Sequence, residues 1–583
     1  MWYNNGENWG KGYHLSPNIK EMKEMNKVLK KLTVVFTTCA VICGTLLSSS
    51  CARSSSDDPD DFTEEIDPAR TQLYVGNYNG GLGWTWLQKA KELFETENPD
   101  VQIMIDNGKD EYSYTALKDT MTTNRQDMYI LDDMEYYTFV RLGHLMDITD
   151  LVVDGGEASL ENRMNATLRD YYKTPDAKYY AIPSYESFYH MIYDVDLFDE
   201  YCLWFNEDGT DFVEDIEEKR YPGISGEEGA WDEGLPRTYS QFFKLLDKMV
   251  EYGITPVTWA GAVKDTYLPL YLKTVWADYC GKSYSVNYSY NGDIRIINNY
   301  DFTEPPSGTF SLATENYETV RVTKENARTT LPKQAGKYYA LKFAKDLTGN
   351  GYKYLQRNKV NSPNESHTLA QDTFLRSRYL KESRGSKPIA MLMDGGWWYN
   401  EAQTVFNAME EYGEEWGSKA RRLGVMPIPK ADDGSSAAGR TISALGTSCM
   451  VISNYTKKAD IAKKFFKFIN TEKIMKLFTE YTLLKRPYDY QLDDEQLKKL
   501  PYYTQNLLQC LESADVEYCV PRVNYLHNNM YNLVHNMSFN SKFDNYEYFN
   551  PLINFFERPN ITAQTYFKGL LTFQTDHNYT LPE

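Results

Sequence analysis

The chain has 583 residues, with 62 Lys+Arg against 82 Asp+Glu, 7 His and a formal charge of −20. At ~100–200 residues per domain that length asks for two large lobes, and 42% apolar residues are enough core to exclude wholesale disorder. The acidic balance excludes nucleic acid as a partner, because phosphate binding needs a basic face.

Aromatic content stands out at 15%, with 48 Tyr and 11 Trp. These side chains join a flat apolar face to a polar handle, which suits partly wet binding surfaces, or simply covers a large surface.

In chain order, Lys27, Lys30 and Lys31 precede an apolar run at 32–47 (LTVVFTTCAVICGTLL), then Ser48, Ser49, Ser50 and Cys51. Those 16 residues fall short of the ~20 that a spanning helix needs, and no stop-transfer charges follow. The pattern resembles a bacterial lipoprotein signal, in which Cys51 would become the lipidated first residue. Residues 1–50 are thus expected to be an export segment, with 1–24 an over-read start if Met25 is the true one. Residues 51–70, rich in Ser, acid and Pro, read as a disordered tether. Residues 1–50 carry six Lys and three acids, so the remainder has a charge of −23.

A strand at 72–75, a Gly-rich loop at 77–83, an amphipathic helix at 84–96 and a strand at 101–105 form a β-loop-α-β unit that opens a parallel sheet. Strands are expected again at 128–131, 179–183 and 189–193, and helices at 241–252 and 461–469. The alternation predicts α/β architecture. Residues 281–332 show little periodicity and read as an insertion. The region 481–583 is irregular and is expected to pack on the second lobe.

The cysteines outside the signal are Cys202, Cys280, Cys449, Cys510 and Cys519, with no C-x-x-C pair. A Cys510–Cys519 disulfide and buried free thiols are both open. The acidic loop around Asp208, Asp211, Asp232 and Glu233 lacks the order of a calcium-binding loop and reads as a solvated face. There is no G-x-S-x-G, H-E-x-x-H or P-loop, and Cys280-Gly-Lys-Ser283 lacks the first Gly at the required spacing. No cofactor or metal is expected.

The order of motifs resembles the extracellular solute-binding proteins of ABC transporters, in their carbohydrate-binding branch. The resemblance runs through Trp84-Thr-Trp86 and 94–99 (FETENP), 142–151 (LGHLMDITDL), 179–183 (YYAIP) with 193–198 (YDVDLF), 235–242 (LPRTYSQF), 253–259 (GITPVTW), 388–398 (PIAMLMDGGWW), 423–429 (LGVMPIP) and 459–469 (ADIAKKFFKFI). It covers about 70–480. It implies a periplasmic-binding-protein-like (type II) fold, with lobe 1 from 71–183 and 441–480 and lobe 2 from 184–440, closing on a ligand about a hinge. It also implies an oligosaccharide ligand, an ABC permease as partner and membrane attachment through the lipid on Cys51.

Sugar recognition needs aromatic faces and fixed polar groups. Trp397 and Trp398 follow Asp394-Gly-Gly, where the family's stacking Trp sits, and one ring of the pair is expected to face the cleft. Trp84 lies at a helix N-terminus beside the Gly-rich loop that holds Asn79. Asp132 and Asp133 end a strand, where open sheets place ligands or a carboxylate caps a helix. Tyr185 and Glu186 lie where the chain changes lobes, and Trp259 ends a second-lobe strand. A surface glycan-binding lipoprotein of another scaffold and a glycoside hydrolase with paired carboxylates are the alternatives.

Overall fold

A computed structural model describes residues 65–577, apart from 299, 528–532, 534 and 535. Residues 1–64, with the expected export segment, Cys51 and most of the tether, lie outside the described residues.

The chain begins with β1 (Thr71–Tyr78), α1 (Thr85–Glu97), β2 (Val101–Gly108) and β3 (Met128–Leu131). β1 pairs in parallel with both β2 and β3, as the opening unit requires. Trp86, Leu87, Ala90 and Phe94 form the buried stripe of α1, and Phe94 packs edge-on against Phe465 at 5.0 Å. A short β4 (Ile182–Pro183) leads through 184–186 into β5 (Ser187–Asp194), whose residues are all buried.

The second lobe contains α2 (Tyr239–Glu251), β6 (Thr255–Trp259), α3 (Lys264–Cys280), β7 (Gly292–Ile297), β8 (Tyr317–Val322), α4 (Ala335–Thr348), α5 (His367–Arg384), β9 (Ile389–Gly395), α6 (Trp398–Glu401), β10 (Leu423–Met426) and β11 (Arg440–Leu445). α2 starts at a capping box between Thr238 and Gln241. Residues 446–448 then cross back to β12 (Cys449–Ile452), α7 (Ala459–Ile469) and α8 (Glu472–Thr482). A third crossing at 484–490 precedes α9 (Tyr502–Glu512), β13 (Ala514–Tyr518), α10 (Pro551–Glu557) and α11 (Ala563–Asp576).

The first sheet has the order β2-β1-β3-β12-β4, and the second β13-β11-β5-β9-β6, with β10 also on β5. β11 pairs with β5 and β13, so it belongs to the second sheet. The return to lobe 1 therefore falls at Gly446–Ser448, not at 440–441 as the sequence suggested. The physical reason is that β11 completes its ladder on β13, a strand contributed from beyond residue 513.

Three crossing segments are laced together at the hinge. Arg486 is fully buried and donates to Ser184 O at 2.7 Å, Ile469 O at 3.1 Å and Asn470 Oδ1 at 2.6 Å. The Ser448 hydroxyl donates to Tyr185 O at 2.7 Å, and the Tyr488 hydroxyl to Pro183 O at 3.0 Å. A buried guanidinium is tolerated where its donors all find acceptors, and here those acceptors tie the crossing at Ser184 to the end of α7 in the first lobe.

Residues 281–332 are more regular than expected. β7 and β8 form an antiparallel hairpin with Gly292 opposite Val322, over a small core of Val286, Ile294, Ile296 and Leu331. Beyond residue 500, α9 packs on β10, and α10 and α11 pack on α4. The five described cysteines are free thiols, so no Cys510–Cys519 bridge forms. In the acidic loop, Asp232 is fully buried and accepts from Ser225 N at 2.9 Å and Oγ at 2.6 Å. That carboxylate fixes the loop instead of facing water. Much of the tyrosine excess is core: Tyr136, Tyr171 and Tyr172 form one edge-packed cluster.

Candidate functional site

The ends of β1, β3 and β9 converge with the hinge on one cleft. The β5/β9 register sets Tyr189 opposite Gly395 and His190 opposite Asp394. The chain turns at Gly395-Gly396, where the Gly396 N–H donates to Phe188 O at 2.9 Å. A Cβ on Gly395 would lie 2.4 Å from the Trp397 ring, so glycine there is what lets the indole fold back over the strand end. Trp397 is half-buried, meeting Tyr189 edge-on at 5.3 Å with Tyr267 of α3 at 6.1 Å. Tyr189 and Tyr267 meet at 5.2 Å, so three rings form one wall.

Opposite them runs the loop after β1. Gly81 adopts φ +83°, and a Cβ there would meet Trp397 at 3.3 Å and Glu401 at 3.0 Å. Asn400 of α6 donates from its side chain to Leu82 O, joining the two sides. Asn79 lies half-buried in this loop, and its N–H donates to Gly108 O at 2.7 Å. Trp84 is buried at the start of α1, outside the apolar core that takes in Trp86.

Polar groups come from both sides. The Tyr185 hydroxyl donates to Asp132. Burial raises the Asp132 carboxyl, against the lowering effect of that bond and of Lys109. Asp133 opens to solvent in the cleft, yet the surrounding protein raises its carboxyl, and Asp132 beside it adds to the shift. On the other side the Gln371 amide bridges two acids, donating to Asp394 Oδ2 at 3.0 Å and to Glu401 Oε2 at 2.7 Å. His367 Nε2 lies 3.1 Å from Glu401 Oε1, an interaction that raises the imidazole. Asp394 is fully buried and pushed up to about 7, by burial first and the Glu401 charge next. Donors and acceptors thus surround an aromatic floor, an arrangement that can hold a polyhydroxylated ring.

Asn79, Asp132, Asp133, Tyr185, Asp394 and Trp397 are brought together here, with Trp84 at the edge. Three expected residues are elsewhere. Trp398 is 0% exposed, packed among Phe374, Tyr399, Phe406 and Tyr503, because α6 begins with Trp398 and turns it inward. Trp259 is also fully buried, its indole N–H donating to Val360 O at 2.9 Å in the lobe-2 core. Glu186 is directed to Tyr518, whose hydroxyl donates to Glu186 Oε1 at 2.7 Å, away from Asp132. Successive residues of an extended segment point opposite ways, so Tyr185 and Glu186 could not share the cleft. Sequence reading missed Tyr189, Tyr267, His367, Gln371 and Glu401. Of these, Glu401 alone had a signal, one helical turn beyond Trp397.

Among the described residues, no cluster of His, Cys, Asp and Glu could hold a metal ion, and no helix is long and apolar enough to cross a membrane.

Residues 81–476 match the family model of the bacterial extracellular solute-binding proteins. The chain belongs to that family. Solute-binding proteins of known structure share its fold. RafE in complex with raffinose aligns at 14% identity and TM-score 0.51, over 87% of this chain and 99% of that one. A chitin oligosaccharide binding protein aligns at 15% and 0.51, over 87% and 99%. A protein from a study of xylan utilization by Caldanaerobius polysaccharolyticus aligns at 14% and 0.52, over 87% and 100%. At these identities the likeness is one of fold, a two-lobe solute-binding architecture. No curated protein sequence matches this chain.

Proposed function

We propose that this solute-binding protein captures an oligosaccharide in the interlobe cleft and delivers it to an ABC permease, while a lipid on Cys51 holds it at the extracytoplasmic face. The observation that carries the reading is the half-buried Trp397 ring, walled by Tyr189 and Tyr267 and flanked by the bridged acids Asp394 and Glu401. A pyranose offers C–H faces to such rings and hydroxyls to such acids, and each good aromatic contact is worth about 1 kcal/mol. The named ligands of same-fold proteins, raffinose and chitin oligosaccharide, support the same class. Ligand contacts from both lobes would favour the closed form, the state a permease could recognise.

The test is a thermal-shift screen of neutral oligosaccharides, with Trp fluorescence as a second readout. Stabilisation by at least one sugar is expected. Stabilisation by peptides or polyamines and by no sugar would overturn the carbohydrate reading. For the anchor, Cys51→Ala is expected to move the protein from the membrane to the soluble fraction, and unchanged fractionation would refute lipidation.

A further inference from the structure

A second cavity, of about 470 Å³, lies beside the hinge and apart from the aromatic cleft. Its lining comes from both halves of the molecule: Thr479 of α8, Lys485 and Tyr490 of the third crossing, Leu508 and Leu511 of α9, and Val516 of β13. That volume lies within the range of small-molecule sites, which typically run from about 300 to 1,000 Å³.

Two properties define what would fit it. The first is apolar: Leu492, Leu497, Leu508, Leu511 and Val516 line it, and each is only half-buried, so the wall presents aliphatic surface to water. The second is charge. Glu186 lines the cavity at 8% exposure, with Asp489, Asp494 and Glu512 around it. Ion pairs within 4 Å are made by none of the four among the described residues. Lys485 is the one cation of the lining; its ammonium sits 5.7 Å over the Tyr490 ring, makes no contact ion pair with Glu186 and acts on that carboxylate only through its longer-range charge. The Tyr518 hydroxyl satisfies one oxygen of Glu186 and supplies no charge.

Burial raises the Glu186 carboxyl, and the distant Lys485 charge offsets that only in part. A carboxylate in such surroundings, with no cation within 4 Å, is stabilised by one brought into contact. An aliphatic wall beside it favours a ligand with an apolar body. We propose that the hinge cavity is a second binding site, for a small amphiphilic ammonium compound whose cationic head meets Glu186 and whose apolar body lies on Leu508 and Leu511. The site is independent of what the interlobe cleft holds, and its test needs no sugar.

The probes are phenethylamine, the neutral phenethyl alcohol and the anionic phenylacetate, titrated calorimetrically into the full chain. Phenethylamine is expected to bind at least tenfold more tightly than the alcohol, with no heat from the acid. Glu186→Gln keeps the shape and is expected to bring amine and alcohol to equal affinity. Leu511→Trp, on a half-exposed helix face, fills the cavity and is expected to abolish binding of both, which keeps the test decisive if Glu186→Gln does not fold. Trp397→Ala is expected to leave amine binding unchanged. Equal affinity for amine and alcohol in the unmodified protein, retained amine preference in Glu186→Gln, retained binding in Leu511→Trp, or loss of amine binding in Trp397→Ala would each overturn the proposal.

Discussion

Two neighbouring residues, Tyr185 and Glu186, belong to two unlike hollows. Tyr185 serves the interlobe cleft, where each acid near Trp397 has a donor at hand: Asp132 takes the Tyr185 hydroxyl, Asp394 the Gln371 amide, and Glu401 both Gln371 and His367. Glu186 lines the hinge cavity, where aliphatic side chains replace the rings and four carboxylates share a single lysine, Lys485. The difference teaches how two kinds of selectivity arise on one crossing segment. Prearranged hydrogen bonds and stacked rings select shape and hydroxyl pattern, whereas an excess of carboxylates over cations selects charge.

The sharpest way to break the comparison is at the paired tryptophans. Trp398→Ala removes a fully buried ring and should cost about 3–5 kcal/mol of stability, read as the urea midpoint. An intact midpoint would mean that the ring is not structural. Arg486→Ala should come next, at about 3 kcal/mol, because several buried carbonyls of the hinge lose their donor. It should harm both hollows together, and an effect on one alone would show that the hinge does not unite them.

Trp397→Ala should leave stability within about 1 kcal/mol and weaken sugar binding roughly tenfold, about 1.4 kcal/mol. Comparable losses in both tryptophan variants would erase the distinction between wall and core.

A pH slope tests the polar side of the same cleft. Asp394 sits at about 7 in the folded chain, above the ordinary 3.8. Between those values the folded state holds the proton more tightly than the unfolded state, so the contribution is full below pH 4 and is lost as pH rises to about 7. Asp394→Asn, which stays neutral, should gain thermal stability relative to the parent across that window and hold a constant difference above it. A difference independent of pH would place the charge elsewhere.

Much of this geometry was legible because it is local. The parallel opening unit, the strand at Met128–Leu131 and the Gly-Gly turn before Trp397 all follow from short-range pattern. What escaped reading depends on packing between distant elements. Tyr267 reaches Trp397 only because α3 lies against β5, and Gln371 bridges Asp394 and Glu401 only because α5 docks on β9. In the sequence both Tyr185 and Glu186 read as cleft residues, and the alternation of an extended segment separates them. The lobe boundary was misplaced for a related reason: the partner that keeps β11 in the second sheet, β13, lies more than seventy residues downstream.

That downstream strand also sets a timetable. β12 sits between β3 and β4, more than three hundred residues after β3, and β13 must arrive before β11 gains its outer neighbour. Neither sheet can finish until the chain is available to residues 452 and 518, respectively. Pairings of such sequence separation form slowly, because their loop-closure entropy comes due before the contacts repay it. Both sheets of this member of an extracellular family therefore stay open at an edge or a gap until their last strands are available.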